Sequence, residues 1–441
     1  MSDDIRQISA QHTYGTWRRQ KGFNPLHVVS AEGSHFTDST GKRYLDLSSQ
    51  LMCSNLGHGN RAVIDAIKAQ AEELAFVAPG YTTRARADLT AELLEVLPKN
   101  LTKFFYATSG TDANEAAIKI ARLYTGKHKI ISRYASYHGS TAGSIALTGD
   151  FRRWPAEPAN VVAGTAFAPE VNCYRCPLKK TYPECGVACA DYVEYMIENE
   201  GNVAAVIIEP IVGTNGVLVP PREYLPRLRE LTKRHGVLLI CDEVMTGWGR
   251  TGDWFAVNHD NVEPDILTTA KGITGAYVPL GLTATTAEIA AFFDDHYFAH
   301  GHTYEAHPLT LQPAVAAIRE YKRLNLIERS RALGEKLGGR LKALKAKHPS
   351  VGDVRGRGLF WAVDLVKDQT EKTRFNSQTE KLAGKPLVID QVTSKMMSLG
   401  VSCLGWISHL VIAPPLIITE EELDAGLRAL DEALAVADAA L

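Results

Sequence analysis

The sequence predicts an α/β fold with a mostly parallel central sheet flanked by helices. Short apolar runs alternate with longer amphipathic stretches, and that alternation favours strand–helix–strand units over separate all-α or all-β blocks. The apolar runs are rich in β-branched residues and bounded by polar or turn residues, as strands buried on both faces are. No internal repeat or low-complexity linker breaks the pattern. Buried strands are expected over residues 129–132, 204–208, 237–241 and 266–269. Helices are expected over 62–74, 87–97, 112–124, 224–235 and 311–348, the last with a break near Asn325. A hairpin is expected near the N-terminus, with strands at 27–31, 34–38 and 44–47 and with Gly33 and Gly41 at the turns.

A chain of 441 residues suggests about two or three domains at roughly 150 residues each. The motifs that carry chemistry thin out after about residue 320. Residues 59–324 therefore read as a large domain, with 1–58 and 325–441 forming a smaller α+β domain from both chain ends. The charges nearly cancel, 48 Lys and Arg against 50 Asp and Glu, and no long run of one sign occurs. Nothing here points to nucleic acid or an anionic membrane. The first eleven residues lack a basic and apolar leader, and no apolar run approaches the ~20 residues of a membrane span. A cytoplasmic location follows as the expectation, with the 7 cysteines reduced.

Three segments carry the chemistry. Phe104–Phe105–Tyr106 leads into Ala107-Thr108-Ser109-Gly110-Thr111-Asp112, an aromatic strand, a small-residue turn and a helix start. Free backbone N–H groups there, with the hydroxyls of Ser109 and Thr111, would bind an anion, and Gly110 lets the backbone approach it. An ordinary capped helix uses the same residues, so the pattern alone leaves both open. Next, Asp242-Glu243-Val244 follows the apolar run at 237–241, where open α/β sheets bind ligands. Third, the run at 266–269 ends in Ala270-Lys271-Gly272. A single lysine just past a buried strand is poorly placed for solvent, and burial would lower its pKa and free a nucleophilic amine. A lysine able to form an imine and a carboxylate able to hold a pyridine nitrogen protonated are the two groups a site for pyridoxal 5′-phosphate (PLP) most needs.

These segments, with others in the same order, resemble the class III aminotransferases of the fold-type I PLP enzymes. The resemblance spans nearly the whole chain. It rests on Gly41-Lys42-Arg43-Tyr44-Leu45-Asp46, Asn55-Leu56-Gly57-His58, Ser109-Gly110-Thr111-Asp112-Ala113-Asn114-Glu115-Ala116 and Tyr137-His138-Gly139. It continues through Glu209-Pro210, Asp242-Glu243-Val244, Gly249-Arg250-Thr251-Gly252, Ala270-Lys271-Gly272, His302-Thr303 and Pro414-Pro415-Leu416. The resemblance implies a PLP-dependent transaminase in which Lys271 binds the cofactor and moves the proton. Asp242 would pair with the pyridine nitrogen, and Val244 and Tyr137 would flank the ring. Ser109, Gly110 and Thr111 would hold the phosphate, with His138 and Glu209 supporting the ring. Thr303 would reach the phosphate of a neighbouring subunit, which implies an obligate homodimer, or a tetramer built from it. The implied partners are a small amine and an oxo acid exchanging an amino group by a ping-pong mechanism.

Three positions depart from members acting on ornithine or γ-aminobutyrate. Ser140, Thr214 and Val411 stand where those carry carboxylate-reading or gating charges, and no Arg or Lys occurs between Met396 and Gly426. A bidentate arginine is the strongest ordinary reader of a carboxylate. Its loss moves the expectation toward ω-amino acids, taurine-like sulfonates or simple amines as donors, with pyruvate or another small oxo acid as acceptor. An aminomutase or decarboxylating enzyme on the same scaffold is the alternative. A metal-binding protein without catalysis is a third reading. Trp17, Met52 and Tyr81 are the substrate-pocket candidates. His409 either supplies part of the missing charge or is a polar loop histidine. Finally, Cys173, Cys176, Cys185 and Cys189 lie within 17 residues. Their spacing suits a structural zinc site, a reduced thiol cluster or one or two disulfides.

Overall fold

The computed structural model describes residues 2–159 and 162–441. Its centre is a seven-stranded sheet in the spatial order Leu101–Ala107, Gly281–Thr286, Ile266–Thr269, Leu238–Asp242, Val203–Ile208, Lys129–Arg133, Thr165–Ala168. Only Gly281–Thr286 runs against its neighbours. Every residue of Val203–Ile208 is buried, because helices cover both faces of the sheet. The expected strands lie within a residue of those observed. One shift matters: the strand expected to stop at Cys241 runs to Asp242, so the acidic side chain sits on the last strand residue rather than in a loop.

Helices follow their capping chemistry. Thr83 caps Arg84–Val96 by accepting from the Arg86 N–H, starting that helix three residues before the apolar pattern does. Gly110–Thr125 is capped by Ser109 and closed by Gly126 in the left-handed conformation. The break expected near Asn325 falls on that residue, at φ 50° between Pro308–Arg323 and Leu326–Lys347.

The two chain ends meet. The hairpin strands Val28–Glu32, His35–Asp38 and Arg43–Asp46 form a sheet with Val401–Ser402, which pairs in parallel with Arg43–Asp46. A second sheet joins Val351–Arg357, Phe360–Asp368, His409–Ile412 and Leu404–Trp406, with Thr373–Arg374 on Phe360–Asp368. Arg250, fully buried, fastens these ends to the centre. Its guanidinium donates to the carbonyls of Leu359 and Pro414 at 3.0 and 2.6 Å, to Ser49 Oγ at 3.0 Å and to Asn55 Oδ1 at 2.6 Å. No helix among the described residues is long and apolar enough to cross a membrane.

Candidate active site

A cavity of about 690 Å³ opens at the carboxyl ends of the central strands. Nine of the predicted cofactor residues line it: Ser109, Gly110 and Thr111 at one helix start, Tyr137 and His138, Glu209, then Asp242, Val244 and Lys271. The sequence brings them together because each motif directly follows a strand of one sheet.

Lys271 is half-buried in the cavity wall, and desolvation there pushes its amine below the usual lysine range. Its backbone is left-handed, at φ 49°, a conformation that costs a non-glycine residue energy and so marks an imposed position. The neighbours hold it there. Tyr321 donates its hydroxyl to the Gly272 carbonyl at 2.7 Å, and Trp248 Nε1 donates to Thr269 Oγ1 at 2.7 Å. A Cβ on Gly272 would lie 2.7 Å from both Asn55 and Trp248, so the residue after the lysine has no room for a side chain.

Asp242 accepts three hydrogen bonds. Oδ2 takes Asn114 Nδ2 and His138 Nδ1, each at 2.8 Å, and Oδ1 takes the Val244 N–H at 3.0 Å. Asn114 is itself locked: it donates to the His138 carbonyl at 2.7 Å and accepts from Thr268 Oγ1 at 2.7 Å. Three donors thus converge on this one carboxyl group and fix its orientation in the site. Glu209 plays a different part. Its two oxygens accept the Tyr137 N–H at 3.0 Å and the Gly213 N–H at 2.7 Å, fixing two loops, while burial pushes its carboxyl upward.

Glu243, beside Asp242, points away into the core. It accepts from the Val257 N–H at 2.8 Å and from the Thr246 hydroxyl, and burial pushes its carboxyl up to about 7. From an ordinary value of 4.5, this favours the protonated native state. Its contribution to stability is therefore greatest below about 4.5, falls as pH rises, and levels off above about 7. Across that window, denaturant unfolding should show wild type losing roughly 3 kcal/mol relative to Glu243→Gln. An unchanged difference would mean the carboxyl is already ionised at low pH.

The remaining predicted positions divide. Trp17 reaches the edge of the site, its ring edge-on to Tyr137 at 6.0 Å. Met52 does not line the cavity. It is buried in an apolar cluster with Ile211 and Met245, and the left-handed turn at Ser49 and Gln50 gives the wall to Leu51 and Cys53 instead. Tyr81 is exposed and also off the cavity wall. Thr303 is exposed and does not line the cavity of its own chain; the preceding His302 pairs with Asp112 at 2.6 Å. His409 cannot replace a charge. It begins a strand, donates Nε2–H to the Thr214 carbonyl at 2.9 Å, and is pushed down to about 4 by burial, hence neutral. Val411 lies in the apolar core and Ser140 is exposed.

Two residues at the site escaped the sequence reading. Asn114 stood in the 109–116 motif without a role of its own, and burial turns it into a link to Asp242. Arg152 had no signal at all. Its guanidinium lies 3.8 Å from the centre of the Tyr137 ring, 4.7 Å from Trp406 and 5.7 Å from Trp17. It is buried and paired with Asp150 through Nε and Nη2.

The four cysteines are free thiols around one small void. Burial pushes Cys189 up to about 11. No three of these sulfurs come within 4.8 Å of one another. Among the described residues that spacing occurs only at Glu194, Glu198 and His235, where Arg234 already pairs with Glu194.

Residues 17–434 match the model of the family described as Aminotransferase class-III. The chain belongs to the class III aminotransferases. Like the family, this aminotransferase uses PLP. It is 36% identical over 420 residues to the leucine/methionine racemase of Thermococcus litoralis, covering 94% of this chain and 91% of the relative. It is 32% identical over 455 residues to the taurine–pyruvate aminotransferase of Bilophila wadsworthia, covering 98% of each. The solved taurine:2-oxoglutarate aminotransferase of Bifidobacterium kashiwanohense, a complex with PLP and glutamate, superposes with a TM-score of 0.94 at 36% identity, covering 99% of this chain and 98% of the other.

The cavity of this aminotransferase fits the cofactor. The Gly110 and Thr111 amides lead the helix and have no intrahelical acceptor, which suits a phosphate. A Cβ at Gly110 would lie 2.8 Å from Val244, so only glycine lets the helix start close against that side chain. His138 Nε2 is buried without a partner.

Proposed function

We propose that this aminotransferase moves an amino group from an ω-amino acid, a taurine-like sulfonate or a simple amine to a small 2-oxo acid, pyruvate above all, by ping-pong turnover. The observation that carries this reading is Arg152. With Ser140, Thr214 and Val411 neutral, its guanidinium is the cation beside the cavity able to meet an acid group, and its charge reaches Lys271. Its bonds to Asp150 use only Nε and Nη2, which leaves Nη1 for a substrate. One half-neutralised guanidinium suits the single acid group of pyruvate, β-alanine or taurine better than a dicarboxylate.

PLP, when bound, supplies an aldehyde for capture of the amine and an electron-withdrawing ring for the charge left at its carbon. The chain does the rest. Gly110 and Thr111 hold the phosphate and Asp242 holds the ring nitrogen charged. Lys271, its amine pushed down by desolvation, takes the proton from one carbon and returns it to another. Thr303, exposed on the surface, supports a homodimer in which it completes the partner subunit's phosphate site. The cytosol remains the proposed location.

Arg152→Gln should raise KM for β-alanine and taurine about 10- to 100-fold while leaving a neutral arylalkyl amine within about twofold. Steady-state rates on the two donor classes decide it. Equal losses on both would reduce Arg152 to a structural role. The relative from Thermococcus litoralis favours a second reading, amino-acid racemisation, in which D-amino acid accumulates without added oxo acid. Transfer of nitrogen to pyruvate separates the two.

A further inference from the structure

A second cavity, of about 200 Å³, lies beyond Trp406 and shares no lining residue with the catalytic one. Loops after the central strands form one side, through Arg153, Glu170 and Asn215. The C-terminal segment forms the other, through Arg374, Trp406 and His409.

Its polar groups are only partly matched. Arg153 is spoken for, paired with Glu157 and lying over the Phe167 ring at 4.6 Å. His409 is neutral and bonded to Thr214. Arg374, exposed at the edge, has no ion pair and no side-chain hydrogen bond among the described residues. Its nearest acidic neighbours are Asp364, already held by Arg175 and Arg355, and Glu170. Glu170 likewise forms no ion pair, although both residues line the same space. Two N–H groups on the wall, Asn215 Nδ2 and Trp406 Nε1, are buried without an acceptor. Buried donors left in this state carry an unrecovered desolvation cost, which a ligand's oxygen atoms would recover.

The charges select the ligand. A simple anion would suit Arg374 and the two N–H groups but meet Glu170. A simple cation would suit Glu170 and meet Arg374. A molecule carrying both charges a few ångströms apart satisfies all four groups. We propose that this cavity binds a small zwitterionic amino acid, its acid group on Arg374, Asn215 and Trp406 and its ammonium on Glu170. The site is independent of Lys271. It is linked to the catalytic region through Trp406, whose indole lies 4.7 Å from the Arg152 guanidinium and stacks on Phe151 at 5.4 Å. Occupancy would steady the ring that cages Arg152, letting an amino acid influence acid-group binding from outside the reacting centre.

Equilibrium dialysis of labelled β-alanine tests this. The holoenzyme is first reduced with borohydride, so that its cofactor is fixed to Lys271 and cannot capture the amine. The expected result is saturable binding that survives Arg152→Gln and weakens about tenfold or more in Glu170→Gln and in Arg374→Gln. Propionate and propylamine, each lacking one charge, should compete at least about tenfold less well. Binding lost in Arg152→Gln but intact in the other two variants would assign the ligand to the catalytic cavity and overturn the proposal. Propionate competing as well as β-alanine would overturn the zwitterion in favour of a plain anion. Absence of saturation at millimolar ligand would overturn the site altogether.

Discussion

Lys271→Ala is expected to lower turnover by about 10⁴-fold or more while leaving the fold intact. The argument is one of position. The amine sits in the cavity wall, held by a strained backbone, and is depressed below its usual range by desolvation with no acid bonded to it. Among the described residues no other lysine lines the cavity, so no second amine is at hand to take its place. The helix start at Gly110 and the carboxylate of Asp242 are untouched by the change, so the variant should still retain PLP after dialysis, though without a covalent link. Steady-state rates, with cofactor content measured by absorbance, separate the two effects. Full activity in the variant would overturn the assignment of the site.

Asp242→Asn should cost about 10³-fold in kcat, the scale of losing one preorganised electrostatic partner. Two consequences combine. The anion that favours a charged ring nitrogen is gone. The amide also turns an NH₂ toward one of three donors, from Asn114, His138 or Val244, that now converge on a carboxylate. Donor facing donor must move something, so a modest fall in melting temperature should accompany the loss of rate. A loss in KM alone, with kcat preserved, would show that Asp242 positions substrate instead of holding charge.

The lysine, the aspartate and the helix start were legible because each is a local feature. A buried strand ends, and the residue that follows has nowhere to go but the site. Glu209 came only with the family resemblance, although it too directly follows a fully buried strand. Arg152 could not be found this way. Its meaning comes from three aromatic rings contributed by positions 17, 137 and 406, and no spacing in the chain announces that they meet. Met52 failed for a related reason. A left-handed turn at Ser49 and Gln50 reverses which neighbours face the cavity, and neither residue is a glycine that would have signalled it. His409 looked like a loop residue because its strand is short. Burial then decided its charge, and burial is a tertiary property.

The junction made by Arg250 bears on how the chain is made. Arg43–Asp46 pairs with Val401–Ser402, and Arg250 grips carbonyls at 359 and 414 together with side chains at 49 and 55. During synthesis the opening segment leaves the ribosome long before its partners exist. The central sheet can assemble meanwhile, but the first strands must wait, exposed, for the last. Closure of this junction thus waits until the chain has been made past residue 414. Chains stalled before residue 400 would present unpaired edges to chaperones and proteases even with the catalytic lysine already in place.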